Sequence, residues 1–491
     1  MPSDSRVSLR PSCDAPPSLA ARRRFLACFG RRIRRATDEL CATVGAEIGK
    51  APAETLVADV LPLLASLDWH RRRLPQLLSP QSLGGRAWWQ FGQRHRVLRA
   101  PVGRVAIIAT WNYPIQLLGI QLSQAVAAGN RVCVKPSERC PSTHALLLSI
   151  AAEAAREAGL SDATLEVRDP TREAGARLLR DERFDHVVFT GSTSVGRAIA
   201  EIAATTLTPT TLELSGHDSS IVLADADPAL AARTIWYAVT MNAGQTCMAP
   251  RRALVDRTIY RKFLAALAPF AAAARPLRLV DAAAAERCHE LAQRAAAAGA
   301  RSLAGPIEPA DGALMRPMAI VDCPPEAALV EGDHFGPVIA VVPVDGLDGA
   351  LKLHREVGQA LATSVFTADA QAIAARAADF GSSFVTINDA VLPTVHPAAA
   401  LAGRGASGWG ASRGVAGLLA LTREVTVSTT GRVRLPAELP DANVVAWIRR
   451  LMRLGGPPVR AEHVDETPRR RDVPNPASAS EPCPSLSRSR A

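Results

Sequence analysis

Segments typical of buried strands alternate with helical patterns along most of this 491-residue chain. A first alternating block runs from Val102 to Thr205, and a second resumes after Glu213 and continues to Ile387. Strands that are separated by helices pair in parallel, because each helix carries the chain back across the sheet. The sequence therefore predicts a doubly wound parallel sheet for the first block and another α/β domain for the second.

Charged residues are concentrated at the two ends of the chain. The net charge of +10 arises because residues 1–36 hold nine Arg against two Asp, and residues 449–491 hold nine Arg against five acidic residues. The core between them is close to neutral and does not interleave basic with aromatic residues, as a nucleic-acid surface would. We therefore expect disordered, solvated tails at 1–20 and 455–491, and no nucleic-acid partner.

The sequence lacks long apolar runs and paired cysteines, and this limits the expected location and the expected chemistry. No apolar run reaches eighteen residues and the N-terminus lacks a signal-peptide pattern, so we expect no membrane partner and a cytoplasmic location. The nine cysteines are scattered and contain no C-x-x-C pair, which favours reduced thiols over a zinc site or a disulfide framework. No metal site is predicted.

The stretch Asn242-Ala243-Gly244-Gln245-Thr246-Cys247 presents one cysteine among small and polar residues. Taken alone, Cys247 fits a buried structural thiol better than a nucleophile. Gly244 and its small neighbours nevertheless permit a tight turn or a helix start. The free N–H groups there would lower the thiol pKa and donate to an oxyanion, which makes Cys247 a candidate nucleophile.

Two polar residues upstream supply the other parts of such a site. Glu213 ends an apolar strand and precedes Ser215-Gly216, so it is compatible with a general base or with an exposed strand-terminal acid. Asn112 lies between a strand and a helix that begins near Pro114, where it fits an oxyanion donor or an ordinary helix cap. Together with Cys247 they could attack a carbonyl, hold its oxyanion and hydrolyse the product.

Two turns resemble parts of a nucleotide site. The segment from Phe189 to Gly196 follows a strand and opens a helix, which is suitable for a pyrophosphate although the segment is not G-x-G-x-x-G. Lys135-Pro136-Ser137-Glu138 follows another strand and offers a cation and an acid for a ribose. A plain surface turn is equally compatible with this second pattern.

Six motifs together resemble the aldehyde dehydrogenase superfamily in order and spacing, over roughly residues 22–435. Two of the motif sequences, Lys-Pro-Ser-Glu and Gly-Gln-Thr-Cys-x-Ala-Pro, are most similar to those of the class 3 and coniferyl-aldehyde-type branch. The motifs are Trp111-Asn112-Tyr113-Pro114, Lys135-Pro136-Ser137-Glu138, Phe189-Thr190-Gly191-Ser192-Thr193, Leu212-Glu213-Leu214, Gly244-Gln245-Thr246-Cys247 and Phe335-Gly336-Pro337.

The resemblance implies an α/β fold with a Rossmann-type NAD(P)-binding domain, an α/β catalytic domain and a small β-ribbon oligomerisation unit. We place the NAD(P)-binding domain at 21–214, with 86–99 in the ribbon, the catalytic domain at 215–420, and the oligomerisation strand at 421–440. The implied assembly is a homo-oligomer, with a dimer favoured over a tetramer.

The resemblance also implies residue roles. Cys247 would be the nucleophile, Asn112 would hold the oxyanion together with the Cys247 backbone N–H, and Glu213 would be the base for deacylation. The implied reaction oxidises a small-molecule aldehyde to the carboxylic acid through a thiohemiacetal and a thioester. The implied cofactor is NAD or NADP, with contacts from Trp111, Lys135, Glu138, Gly191, Ser192, Thr193, Gly196, Leu214, Asp333 and Phe335.

Several positions depart from the family pattern near the implied nicotinamide site. Ser215 and His217 replace a glycine and a lysine, and Asp333 replaces a longer glutamate. Ala400–Gly403 stands where the family usually has Pro-Phe-Gly-Gly, so an aromatic wall of the active-site mouth is expected to be lost.

These departures leave two alternatives to the dehydrogenase. One is a catalytically impaired paralogue that serves as an oligomeric binding or scaffold protein, against which the intact Cys247, Glu213 and Asn112 argue. The other is a cofactor-free thioesterase or esterase that uses the same thiol and base, against which the nucleotide motifs argue. Turnover of an aldehyde with NAD or NADP separates the three.

Overall fold

The structure is a computed structural model that describes residues 16–84, 93–332, 334–359, 361–430 and 442–453. Within these ranges the chain divides into two compact units. The first unit comprises residues 16–79 and 99–425, and the second comprises residues 80–98 and 426–453, as far as they are described.

Helices make up much of the described chain. The first helix begins within the segment 1–20 that was expected to be a disordered tail. In chain order the helices are α1 Leu19–Arg35, α2 Thr37–Ile48, α3 Pro52–Thr55, α4 Leu61–Leu77, α5 Gln116–Ala128, α6 Pro141–Glu157, α7 Arg172–Asp181, α8 Thr193–Thr205, α9 Pro228–Thr240, α10 Tyr260–Ala272, α11 Ala282–Ala297, α12 Ala328–Glu331, α13 Gly346–Glu356, α14 Ala370–Ala375, α15 Gly414–Ala420 and α16 Ala442–Arg453. Within the described residues, none is long and apolar enough to cross a membrane.

The strands fall into two large sheets and three small ones. In chain order they are β1 Gln81–Ser82, β2 Arg94–Pro101, β3 Arg104–Ile108, β4 Arg131–Lys135, β5 Leu165–Val167, β6 His186–Gly191, β7 Thr210–Leu214, β8 Asp218–Val222, β9 Pro250–Asp256, β10 Leu277–Arg278, β11 Arg301–Ser302, β12 Leu314–Met315, β13 Met318–Val321, β14 Val338–Val344, β15 Ala362–Phe366, β16 Phe384–Ile387, β17 Leu401–Ala402, β18 Gly408–Trp409, β19 Ala411–Ser412 and β20 Thr422–Thr429.

The first large sheet has six strands in the order β18-β7-β6-β3-β4-β5. Strands β3 to β7 pair in parallel, as the sequence alternation predicts. The chain moves outward from β3 through β4 to β5, and then returns to place β6 and β7 on the other side of β3. The point where the order reverses leaves a crevice at the carboxyl ends of β3 and β6, where ligands bind in sheets of this kind.

The second large sheet has seven strands in the order β11-β13-β14-β9-β8-β15-β16. Its strands are parallel except for the short edge strand β11. Strand β8 begins only four residues after β7 ends, so the carboxyl end of the first sheet leads directly into the second. The sequence boundary at residues 214 and 215 falls in this short connection.

The segment from Leu401 to Ala420 does not stay with the second sheet. Strand β18 pairs antiparallel with β7 in the first sheet, through Gly408 opposite Glu213 and Trp409 opposite Leu212. Strand β19 pairs with β17. The expected catalytic segment 215–420 therefore contributes the edge strand of the nucleotide-domain sheet.

A buried helix joins the site to the core of the first unit. All thirteen residues of α5 are buried, because helices α1, α4 and α15 and strands β3 and β4 surround it. A helix covered on all sides needs no amphipathic pattern, and three of its buried polar side chains, Gln121, Ser123 and Gln124, are hydrogen-bonded. The buried α5 fixes the position of the loop that precedes it, which carries Asn112.

The second unit contains a three-stranded sheet in the order β1-β2-β20, and helix α16. Strands β1 and β2 are antiparallel, with Gln81 opposite Val97. Strand β20 lies next to β2, so the described parts of the expected ribbon segment 86–99 and of the expected oligomerisation strand 421–440 belong to one sheet. Residues 85–92 and 431–441, which include half of each of these two segments, lie outside the described residues.

Candidate active site

The predicted nucleophile Cys247 and the predicted oxyanion donor Asn112 lie in neighbouring loops. The Asn112 Nδ2 donates to the backbone carbonyl of Gln245 at 3.0 Å, two residues before the cysteine. The amide has a second N–H, which remains for a substrate oxygen. The structure thus brings together a thiol and an amide that lie far apart in the sequence.

The turn before Cys247 has an uncommon backbone conformation. Asn242 and Ala243 have φ of 52° and Gly244 has φ of 71°, so three successive residues occupy the left-handed region. A Cβ on Gly244 would lie 2.3 Å from the backbone of Gly336, which excludes any larger residue. The cysteine therefore follows a tight left-handed turn and not the first turn of a helix.

Burial decides the protonation of the Cys247 thiol. Burial, together with the negative charges of Glu213 and Asp218, raises its pKa to about 12, against the opposing effect of Arg413. The sequence predicted a lowered pKa from free N–H groups, and that prediction was wrong. No helix begins at Cys247 to supply those groups, and local sequence does not reveal the depth of burial.

The predicted base Glu213 ends strand β7 and is 3% exposed. Its carboxylate accepts hydrogen bonds from Ser412 Oγ and, at 3.3 Å, from Thr190 Oγ1. Burial raises the pKa of Glu213 above its usual range, although Arg413 and these two hydrogen bonds oppose the rise. A carboxyl with a raised pKa is a stronger base once it is ionised, which suits proton abstraction from water.

Two arginines that the sequence analysis did not single out surround the thiol. Arg251 is 1% exposed and donates to the backbone carbonyls of Gly244 at 2.8 Å and Thr246 at 3.0 Å. These two hydrogen bonds stabilise the turn that precedes Cys247. Arg413 is 6% exposed and is the positive charge with the largest effect on the pKa of both Cys247 and Glu213.

Removing Arg413 should slow alkylation of the thiol. A nearby positive charge favours the thiolate, so Arg413→Met raises the already high pKa of Cys247 and leaves less thiolate at any pH below it. We expect iodoacetamide to modify Cys247 roughly threefold to tenfold more slowly at pH 8, since one pKa unit is about tenfold in thiolate. The rate is measured by mass spectrometry of the Cys247 peptide.

Arg404→Met is the matched control for this prediction. Arg404 is exposed and lies in the same returning segment, so its removal should leave the alkylation rate unchanged. An unchanged rate in Arg413→Met would show that the guanidinium does not act on the thiol.

A buried ion pair supports the loop that carries Asn112. The Lys50 Nζ lies 2.7 Å from Asp59 Oδ2, and both side chains are fully buried. The same Nζ donates to the Asn112 carbonyl at 2.7 Å, and Asp59 Oδ1 accepts from the backbone N–H groups of Ile115 and Gln116 at the start of α5. Lys50 is one of only four lysines in the chain, a signal that could have identified it.

Breaking this ion pair should destabilise the protein and displace Asn112. Lys50→Met leaves the Asp59 carboxylate buried without its partner, which costs about 3–5 kcal/mol of unfolding free energy. We expect a lower midpoint of urea denaturation and a lower rate of aldehyde oxidation. The double variant Lys50→Met/Asp59→Asn leaves no charge behind, so it should recover a large part of the lost stability. A double variant as unstable as Lys50→Met would contradict this explanation.

Two predicted cofactor residues meet at the mouth of the crevice. The rings of Trp111 and Phe335 contact edge to face, with centroids 5.8 Å apart. Trp111 follows β3 and Phe335 precedes β14, so the contact joins the two sheets of the first unit. Asp333, which was predicted to contact the nicotinamide ribose, lies outside the described residues.

The predicted ribose residues form an ion pair at the end of β4. The Lys135 Nζ lies 3.2 Å from Glu138 Oε2, and the other carboxylate oxygen of Glu138 lies 2.9 Å from Arg172 Nε. The pKa of Glu138 falls to about 2 because the hydrogen bonds and charges of these partners outweigh its burial. Gly175 lies against the lysine stem, since a Cβ there would be 3.3 Å from Lys135 Cε.

The predicted pyrophosphate segment lies at the other side of the crevice. Gly191 ends β6 and Ser192 caps α8, whose Val195 N–H bonds to the Ser192 hydroxyl. Gly196 packs directly on Leu214, because a Cβ there would lie 2.3 Å from Leu214 Cδ2. This contact holds the start of α8 against the end of β7. Thr193 donates to the Ala406 carbonyl at 3.2 Å.

Two departures from the family pattern have clear structural consequences. His217 is fully buried and hydrogen-bonds the Val330 carbonyl at 2.7 Å, so it does not face the crevice. Leu401 is 3% exposed and belongs to an apolar cluster with Met248 and Leu361, against which Cys247 and Phe384 pack. Aliphatic side chains and Phe384 thus form the apolar surroundings of the thiol, where the aromatic residue of the family motif is absent.

The chain is similar in sequence to known proteins over most of its length. The sequence model described as the aldehyde dehydrogenase family matches residues 16–427. The 4,4'-diapolycopene aldehyde oxidase of a Methylomonas species is 31% identical over 409 residues, which cover 82% of this chain and 76% of that protein. The coniferyl aldehyde dehydrogenase of a Pseudomonas species is 31% identical over 396 residues, covering 77% of this chain and 80% of that protein.

A solved structure has the same fold. The NAD-dependent aldehyde dehydrogenase from Sinorhizobium meliloti superposes with a TM-score of 0.78 at 27% sequence identity. The match covers 86% of this chain and 84% of that one. The α/β fold that was expected from the resemblance is therefore confirmed.

Proposed function

Since the chain belongs to the aldehyde dehydrogenase family, we propose that it oxidises an aldehyde to the free carboxylic acid through a thioester on Cys247. The electron acceptor is NAD or NADP. The observation that carries the proposal is the convergence of a thiol, an amide donor and a buried carboxyl at the crevice between the two sheets. The net reaction consumes one aldehyde, one water and one NAD(P)+, and releases the acid, NAD(P)H and a proton.

In the first half-reaction the Cys247 thiol gives up its proton, which is the proton released in the net reaction, and the thiolate adds to the aldehyde carbon to form a thiohemiacetal. The free N–H of the Asn112 amide and the Cys247 backbone N–H stabilise the oxyanion that develops. Bound NAD or NADP supplies the hydride acceptor, and a thioester on Cys247 remains. The positive charges of Arg413 and Arg251 favour the thiolate and so oppose the effect of burial on the Cys247 pKa.

In the second half-reaction Glu213 accepts a proton from water, and the hydroxide attacks the thioester. The acid leaves and the thiol is restored. The hydrogen bonds from Ser412 and Thr190 keep the carboxylate oriented and favour its ionised form. A carboxyl dedicated to hydrolysis favours a free acid as the product over transfer to another acceptor.

We infer that a dinucleotide binds in the crevice at the carboxyl ends of the first sheet. The ribose would lie near the Lys135–Glu138 ion pair after β4, and the pyrophosphate near the N-terminus of α8 after β6, which supplies free backbone N–H groups. Gly196 and Gly175 allow the close packing there, since a side chain at either position would strike Leu214 or Lys135. Trp111 and Phe335 would flank the nicotinamide half.

The substrate we propose is an aldehyde with an apolar or aromatic body. The buried apolar cluster of Met248, Leu361 and Leu401 packs against the thiol, so the surroundings of Cys247 on this side are apolar and compatible with such a body. Related proteins are named for a carotenoid aldehyde and for coniferyl aldehyde, which both have this character. The predicted homodimer and cytoplasmic location stay predictions.

A panel of aldehydes crossed with NAD and NADP tests the function. With aromatic and medium-chain aldehydes we expect the absorbance of NAD(P)H at about 340 nm to increase with time. The expected turnover number is roughly 1–10³ s⁻¹, the usual range for enzymes. Folded protein that turns over none of them with either cofactor would instead favour the scaffold alternative. Hydrolysis of a thioester without any cofactor would favour the esterase alternative.

A further inference from the structure

Helix α16 has two chemically opposite faces. At 100° per residue its large described apolar side chains fall within an arc of about 160°, and its two described arginines, Arg449 and Arg450, fall outside that arc. The apolar members, which we call the α16 apolar face, are Val444, Val445, Trp447, Ile448 and Met452. This arrangement is typical of a helix that lies at a boundary between an apolar and an aqueous medium.

The α16 apolar face is accessible to solvent. Its residues are between 39% and 75% exposed, with Trp447 at 57% and Met452 at 75%. Large apolar side chains grouped on one face of a helix are rarely left in water without a binding role. The helix has twelve residues, which is too short to span a bilayer, so it could only lie along a surface.

The charges on and after α16 favour a lipid surface over a protein groove as the binding partner of this helix. No acidic residue occurs in α16, and the sequence from 449 to 491 carries nine Arg against five acidic residues. The arginines lie on the side away from the apolar face, so a protein groove that covers the apolar face would not contact them. A lipid surface meets both groups at once, since acyl chains receive the apolar side chains while anionic headgroups reach up to the arginines.

We propose that α16 is a peripheral membrane-binding helix, which inserts Val445, Ile448 and Met452 into an anionic lipid surface and pairs Arg449 and Arg450 with its headgroups. The expectation of no membrane partner rested on the absence of a spanning segment, and a surface helix needs none. Binding of this kind strengthens with anionic lipid and weakens with salt, because the arginine contacts are screened.

Flotation of the full chain with lipid vesicles tests the proposal. We expect the protein to float with phosphatidylcholine vesicles that contain phosphatidylglycerol, and at least about tenfold less with pure phosphatidylcholine, since each basic residue near an anionic surface is worth about fivefold in affinity. High salt should release it. Failure to float with either vesicle would overturn the proposal.

Paired variants identify the surface. Ile448→Glu/Met452→Glu should abolish flotation, and Arg449→Gln/Arg450→Gln should weaken it only on the anionic vesicles. Leu314→Glu, an equally exposed apolar residue in strand β12, is the control and should float like the parent protein. Unchanged flotation of both α16 variants would overturn the assignment of the surface to this helix.

A second measurement separates lipid binding from self-association. Light scattering on the same variants should give the parent molar mass, because the substituted residues contact lipid and not another copy. If Ile448→Glu/Met452→Glu halves the molar mass while vesicles bind neither protein, the α16 apolar face is an interface between copies and the proposal fails. Oxidation of a small water-soluble aldehyde should stay unchanged in every variant.

Discussion

Cys247→Ala should abolish aldehyde-dependent formation of NAD(P)H, with a fall in kcat/KM of at least about a thousandfold. The thiol is the one group in the described site that can form a carbon–sulfur bond to the aldehyde. Without it no thiohemiacetal forms, and the oxyanion donors have nothing to stabilise. The measurement is the absorbance of NAD(P)H at about 340 nm, in steady state and in a single turnover. Both use a cofactor concentration above about 1 mM, the upper end of typical KM values.

Cys41→Ala is the matched control for this variant. Cys41 is also buried and unpaired, but it lies in α2 and has no place in the proposed chemistry. Its replacement should leave the rate within a factor of about two, as expected for a small packing change. A Cys247→Ala protein that folds normally and still oxidises aldehydes would remove the thioester from the mechanism.

Glu213→Gln should separate the two half-reactions. Acylation does not need the carboxyl as a base for water, so a rapid burst of NAD(P)H, equal in amount to the enzyme, is expected. Steady turnover should then fall by about 10²–10⁴, the usual contribution of a general base. Glutamine keeps one oxygen that can accept from Ser412 or from Thr190, and its amide N–H can donate to the other hydroxyl, so the fold around the site should persist. The measurement is stopped-flow absorbance followed by mass spectrometry of the acylated Cys247 peptide.

Glu290→Gln, in α11 and exposed, is the control with the same chemical change. It should show neither a burst nor a loss of turnover. If Glu213→Gln gives steady turnover at the parent rate, another group deprotonates the water. If the variant gives neither a burst nor turnover, Glu213 acts before acylation. Because the pKa of Cys247 is raised, the thiol needs a base to remove its proton, and Glu213 would then be that base.

The parallel sheets could be predicted from the sequence because their strands are continuous apolar runs. Val132-Cys133-Val134 and Val187-Val188-Phe189 are short and consist mainly of β-branched or aromatic residues, which is the pattern of a strand covered on both faces. Helix α11 was not predicted, since an Ala-rich segment gives little contrast between its faces. Strands of two residues such as β17 and β19 are too short to show any period.

The site could be predicted only where its parts are local. Asn112 and Glu213 each stand at a strand end, where a side chain projects into a crevice, and the order of motifs led to both. Ser412 and Arg413 lie about two hundred residues beyond Glu213, in a segment of Gly, Ala and Ser that resembles a surface loop. Their contacts with the base depend on the return of that segment to the first sheet.

The pKa of Cys247 shows the same limit. The sequence records which residues flank the thiol, and these suggested a helix start with free N–H groups. The depth of burial and the approach of Glu213 and Asp218 arise from tertiary packing, and they reverse the direction of the shift. A prediction of reactivity from neighbouring residues therefore fails where desolvation is the larger effect.

The return of β18 to the first sheet also sets an order of events during synthesis. The ribosome releases the strands of the nucleotide domain first, and β7 then presents an open edge with Glu213 beside it. That edge is covered only after residues 408 and 409 emerge, almost two hundred residues later. A nascent chain thus holds an exposed strand edge through most of the second domain's translation. Chaperone binding to ribosome-stalled chains should accordingly be highest for chain lengths at which β7 has emerged from the ribosome and β18 has not.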